Sequence, residues 1–370
     1  MVAQNKKKNK AHRKKPVKPI AVRSDAGFTE WLAKSGGSLV ISTYQAGMMF
    51  TVGWLGNQLS MLQRHFEKPM GFDVRDDRLV LTTRTDVISF QNSPVLAHHY
   101  LENQPGRYDA LFLPRMSWHT ADLGFHDLAI ASDDVWLVNT RFSCLSVLDS
   151  EYSFLPKWSP SFITELAPED RCHLNGLALV DDKPGFVTAL GQTNEPGGWR
   201  DNKVSGGVVI NVQNDEIVLD GLAMPHSPRW HDDTLWVLNS GAGQLLRVNV
   251  DDGSSEVVCE LQGYLRGLTF VDHYALIGLC KIRETNVFGG MPVQQKYDQL
   301  KCGVAIVDIQ TGVQQGFFEF TEGCTEIYDI RFLPEVQRPN ILNLQKEEAR
   351  RAITAPPDNH FWLRGEKNGQ

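Results

Sequence analysis

One short pattern recurs six times along this 370-residue chain, and it leaves few folds open. Each copy places a Gly, Asp or Pro before an apolar run, then a tight, mostly acidic turn, then a second apolar run. The copies are MGFDVRDDRLVLTT (70–83), HDLAIASDDVWLVNT (126–140), NGLALVDDKPGFVTAL (175–190), SPRWHDDTLWVLNS (227–240), RGLTFVDHYALIGLC (266–280) and the shorter YDIRFLP (328–334). Measured at Gly71, Asp127, Gly176, Pro228, Gly267 and Asp329, successive copies lie 56, 49, 52, 39 and 62 residues apart. Each interval has room for two further strand-like runs, such as CLSVLD with YSFLPKW. Four strands per unit of this size describe a propeller blade. Six units predict an all-β, six-bladed β-propeller.

The last copy has an inner strand with little sheet after it. Three strand-like runs, SLVIST, MFTVGWL and QLSMLQRHF, precede the first copy. Those N-terminal strands are expected to complete the last blade and close the ring, which removes free sheet edges. The propeller is then expected over residues 25–340, with a short helix at GFTEWLAKS (27–35). Residues 341–370 are expected to form a short helix and a loose tail. Residues 1–24 are expected to be a disordered basic tail, since residues 1–23 carry nine Lys/Arg and no acid.

The net charge of −7 therefore averages two unlike pieces: the other 347 residues hold 28 basic against 44 acidic side chains. Such an acidic body argues against nucleic acid as the main ligand, except through the basic tail. No run of about 18 apolar residues is present, so no membrane-spanning helix is expected. The basic start is followed by no apolar stretch of the secretory kind. The six cysteines are scattered, with no CxxC pair, and read as reduced thiols. Together these point to the cytoplasm.

In an up-and-down blade, the loop into the inner strand and the loop between the second and third strands share one face. Four long loops are expected there: 100–124, 159–172, 191–205 and 281–301. The opposite face has short turns such as RDD, SDD and HDD. Residues entering the inner strands from the long-loop face would line the mouth of the central channel. They are Met70, His126, His173 with Asn175, His226 with Ser227, Arg266, and Glu326 with Tyr328.

Imidazoles with a carboxylate suit a divalent metal, so His126, His173, His226 and Glu326 are candidate ligands for one Zn, Fe, Mn or Ca ion. The alternative is a polar, water-filled channel with hydrogen-bonded histidines and no metal. Asn175 and Tyr328 are candidates for orienting or catalytic roles. Arg266, on the channel, and Arg200 and Arg283, on the loops, could clamp a carboxylate or phosphate; pairing with acids such as Glu195 or Glu284 is the competing expectation. Trp199 reads as a lid aromatic over the substrate or as a loop anchor. Asp170 and Arg171 either orient His173 or form surface pairs. Cys172 should face away from the channel, because neighbours in a strand point to opposite faces.

The segments STYQAG (42–47), NTRFSCLSVLD (139–149), EDRCHLNGLA (169–178), TNEPGGWR (193–200), MPHSPRW (224–230) and GYLRGLTF (263–270) resemble signatures of a bacterial β-propeller family with no settled activity. The resemblance spans about residues 28–340. It implies an association with tetratricopeptide-repeat proteins. A weaker likeness is to regucalcin- and gluconolactonase-like six-bladed propellers, in which Asn175-Gly176 and Glu326 would stand for metal-binding positions. The three histidines depart from the oxygen-rich site of those lactonases. Taken together, the sequence points to a small molecule or peptide bound at the channel mouth, with metal-dependent hydrolase- or lyase-like chemistry as one form of it. A non-catalytic protein-interaction module using the long-loop face is the alternative.

Overall fold

A computed structural model describes residues 19–282 and 289–363. Six four-stranded antiparallel units are arranged around an axis, their inner strands being Phe72–Arg75, Phe125–Ile130, Leu174–Val180, Pro225–His231, Tyr264–Val271 and Asp329–Leu333. Numbered in that order, these are blades 1 to 6. The inner strands begin at or within a few residues of the six recurring positions. At those positions neighbouring strands approach so closely that only glycine fits in places. A Cβ at Gly176 would sit 2.3 Å from Pro228 Cδ, and Gly267 adopts φ +80° with Ile330 N 2.9 Å from where its Cβ would be.

Blade 6 is built from both ends of the chain. Its inner strand pairs with Ser38–Thr43, which pairs with Met48–Leu55, which pairs with Gln58–His65. The expected closure is therefore the one observed. Two flanking segments extend the clasp beyond it. Ala21–Ser24 adds a fifth, outer strand to blade 5 by pairing with Gln314–Glu322, and Pro339–Ile341 pairs in parallel with the outer strand Ala110–His119 of blade 1. Ala21–Ser24 thus belongs to the ring, and the expected tail boundary at residue 24 moves back. Residues 1–18 lie outside the described residues.

The helix Ala26–Ser35 follows this outer strand. Asp25 caps it by accepting from Phe28 N, Gly36 ends it at φ 70°, and Phe28 and Leu32 are its buried positions. Phe28 packs on Phe318 of blade 5, while Trp31 meets Tyr274 of blade 5 and Phe332 of blade 6. The C-terminal segment is more ordered than expected: after the short helix Glu347–Arg351, strands Ala352–Ala355 and Asn359–Trp362 form a hairpin. Trp362 Nε1 donates to Leu96 O and docks that hairpin on blade 1.

Three of the four expected long loops lie on the face where the inner strands begin: 159–173, 190–206 and the described parts of 281–302. The fourth does not. Ala110–His119 is the outer strand of blade 1, so its long connection, residues 93–109, joins the third to the fourth strand and opens on the other face. An apolar stretch interrupted by Pro114 and followed by polar residues hid this strand. The described residues contain no helix long and apolar enough to cross a membrane.

Candidate functional site: the histidine-lined channel mouth

Blades 2, 3 and 4 each send one imidazole to the mouth, and each is held through the same ring atom. His126 Nδ1 donates to Gly124 O at 2.7 Å, and His226 Nδ1 donates to Met224 O at 2.8 Å. His173 Nδ1 meets Asp170 Oδ1 at 2.8 Å. The backbone is bent to allow this: Gly124, Asp170, His173, Met224 and Ser227 all have positive φ. Left-handed conformations at non-glycine residues are costly, and Asp170, His173, Met224 and Ser227 adopt them at this mouth.

The rings touch. His126 and His173 lie 4.7 Å apart edge to face, His126 lies 5.9 Å from Tyr328, and His226 lies 5.5 Å from Tyr264. Asn175 Nδ2 donates to His226 Nε2 at 3.0 Å, so both nitrogens of that ring are engaged. Burial, reinforced by His173 and Arg266, holds His126 well below the usual imidazole pKa. Burial and Arg266 do the same to His226. Both rings are therefore neutral at physiological pH, and unfolding in acid releases them to bind protons. Stability from this source is complete above about pH 6.5 and is lost as pH falls below it. Replacing His226 with Gln is expected to flatten the fall in stability between pH 6.5 and 5 by up to about 1.4 kcal/mol per pH unit. Urea midpoints across that range test this, and an unchanged slope would contradict it.

Arg266 is the centre of the arrangement. It is only 6% exposed, and its guanidinium carbon lies 4.5 Å over the ring of Tyr328, which in turn meets Tyr44 edge-on at 5.5 Å. Among the described residues it has no ion-pair partner, and its Nε has no hydrogen-bond partner. Glu326 is partly buried and close enough to Tyr264 and Cys280 to add to burial in raising both groups, but no ion pair links it to Arg266.

The other candidates fall into supporting positions. Trp199 is 2% exposed, packs at a tilt with its ring 4.5 Å from that of His173 and donates to Asp170 Oδ2 at 3.1 Å. It is an anchor between two long loops and not an open lid. Arg200 lies 4.3 Å over Trp199 and pairs with Asp170 at 3.3 Å, so an acid does engage it, though not Glu195. Arg171 binds Glu165, Glu169 and Asn194 and ties loop 159–173 to loop 190–206. Arg283 and Glu284 lie outside the described residues. Cys172 is fully buried and its thiol is pushed up to about 12 by burial, which leaves no nucleophile there. Among the described residues, no three His, Cys, Asp or Glu side chains are grouped so as to hold a metal ion. His126, His173, His226 and Glu326 are thus not assembled into one ligand set, and the Arg266 charge beside them opposes a dication.

Directly below the mouth lies a group that sequence reading missed. Arg331 pairs with Asp73 at 2.8 Å and with Asp329 at 2.8 Å, and Arg229 pairs with Asp127 at 3.0 Å and with Asp329 at 3.4 Å. Arg229 also donates to Leu268 O, and Asp127 accepts from Leu177 N, so all six blades are joined across the axis. Beyond it the channel widens to a cavity of about 360 Å³ lined by all six inner strands. Charged residues inside otherwise apolar inner strands were the signal for this group.

No curated protein matches the chain in sequence. Among solved structures, a chain of a nidogen/laminin complex is similar, with a TM-score of 0.51 and 10% identity over 81% of this chain and 99% of that one. At that identity the likeness shows the fold alone. A family model covers residues 26–342, from the capped helix to the strand that reinforces blade 1, and the chain belongs to that family, described as a domain of unknown function (DUF4915).

Proposed function

We propose that this propeller binds a small anionic molecule at the histidine-lined mouth, with Arg266 as its counter-ion. One observation carries the reading: a guanidinium buried to 6% exposure that has no carboxylate partner among the described residues. An unpaired buried charge is expensive, and proteins retain one chiefly where a ligand supplies the opposite charge. The surrounding groups suit a ligand pocket, since neutral His126, Asn175 and Tyr328 offer polar atoms, and neutral His226 adds no positive charge that would need its own partner. Stacking on Tyr328 keeps the guanidinium plane fixed, as bidentate recognition of a carboxylate or phosphate requires. The alternative of a protein-interaction module on the same face, a tetratricopeptide-repeat partner included, rests on Leu166 and Val204, exposed on two of the long loops.

Titrating inorganic phosphate and acetate against the protein in a buffer of weakly binding anions tests the reading. Millimolar concentrations of at least one should raise the thermal midpoint of the wild type and leave that of Arg266→Gln unmoved. Equal shifts in both proteins would place anion binding elsewhere.

A further inference from the structure

The mouth holds one donor of charge and, opposite it, an acceptor whose polarity is fixed by the backbone. Gly124 O can only accept, so the neutral His126 ring carries its proton on Nδ1, and its Nε2 is a bare lone pair. Among the described residues nothing donates to that Nε2. The equivalent atom of His226 is satisfied by Asn175 Nδ2, which shows what the His126 atom lacks. His126 and Arg266 both neighbour Tyr328, the ring at 5.9 Å and the guanidinium at 4.5 Å, and Arg266 is close enough to His126 to act on its charge.

Resting on the anion reading, we infer that the site selects an anion carrying its own hydrogen-bond donor: the anionic oxygens sit on Arg266 while a hydroxyl of the same molecule donates to His126 Nε2. Two chemistries share that feature, a protonated phosphate group with its P–OH and a 2-hydroxycarboxylate. An anion with acceptors only would set an oxygen lone pair against the His126 lone pair. A buried acceptor facing an acceptor loses the hydrogen bond and keeps the desolvation cost, which is the basis of strong discrimination. His173 turns the Nδ1 edge of its ring to Asp170, away from this position.

Matched pairs of probes separate the possibilities. Inorganic phosphate is compared with sulfate, and lactate with propionate, by calorimetry at pH 6 and equal ionic strength. At that pH phosphate is mostly monoanionic and sulfate dianionic, so charge alone favours sulfate. The expected result is at least tenfold tighter binding of phosphate than sulfate, or of lactate than propionate, with the responding pair naming the ligand class. In His126→Phe, which keeps a ring against Tyr328 and removes the acceptor, the preference should fall to within twofold while binding still depends on Arg266. If sulfate and propionate bind the wild type as tightly as their partners, and Arg266→Gln abolishes all four, the inference is overturned and the anion reading stands. If none of the four binds, the anion reading itself fails.

Discussion

Arg266→Met is expected to make the ligand-free protein more stable, by about 1–4 kcal/mol, while abolishing its response to anions. Most substitutions of a buried residue destabilise, so the sign is the informative part. Methionine is similar in length, packs against Tyr328 as a flexible apolar chain, and removes a charge that has no partner among the described residues. It also ends the orphaned state of the guanidinium Nε. Chemical denaturation of both proteins without added anion checks this. A loss of 2 kcal/mol or more would mean that Arg266 holds the mouth together and is not reserved for a ligand.

The ion group below the mouth should respond in the opposite way. Arg331→Met removes a guanidinium that serves three carboxylates, leaving Asp73, Asp127 and Asp329 with Arg229 alone. Breaking a buried network from one side costs about 3–5 kcal/mol, because the remaining charges stay buried. A loss below 1 kcal/mol would show that water reaches the group freely. Asp329 provides the companion test. Its Oδ2 is buried with no partner, and three carboxylates face two guanidinium groups. Burial, with Asp127 adding to it against the opposing pull of Arg331 and Arg229, raises Asp329 to about 6. A carboxyl whose folded pKa lies above its unfolded value gives full stability below about pH 4, and that contribution is lost as pH rises through about 6. Asp329→Asn should therefore match the wild type near pH 4 and exceed it at pH 8. An advantage that is the same at both pH values would contradict the assignment.

The two sites differ in how far the sequence revealed them. Blade count, ring closure and the convergence of His126, His173, His226, Arg266 and Tyr328 follow from one periodic signal, because a propeller fixes which end of every inner strand faces which side. What periodicity could not supply was partner choice. Asp170 serves His173, Trp199 and Arg200 at once, an arrangement that depends on two loops meeting in space. That no described residue forms an ion pair with Arg266 is equally invisible from sequence, since it depends on where side chains such as Glu326 point in space. Asp127 and Asp329 were legible as repeat markers, but their pairing with Arg229 and Arg331 crosses the channel between blades that are distant in the chain. The outer strands Ala21–Ser24 and Pro339–Ile341 were missed because each is short and draws its order from the blade it joins.

The way blade 6 is assembled also sets a timetable for the newborn chain. Ser38–His65 leaves the ribosome before blades 1 to 5, whereas its inner partner Asp329–Leu333 is made after them. Throughout synthesis of the intervening blades, the edge of Ser38–Thr43 that will meet Asp329–Leu333 has no native neighbour, and such an edge invites foreign pairing. Blades 1 to 5 have their four core strands consecutive in sequence and can form as they emerge; the ring cannot. Anything that truncates translation before residue 329 therefore releases a chain whose seam is left open along the edge of Ser38–Thr43.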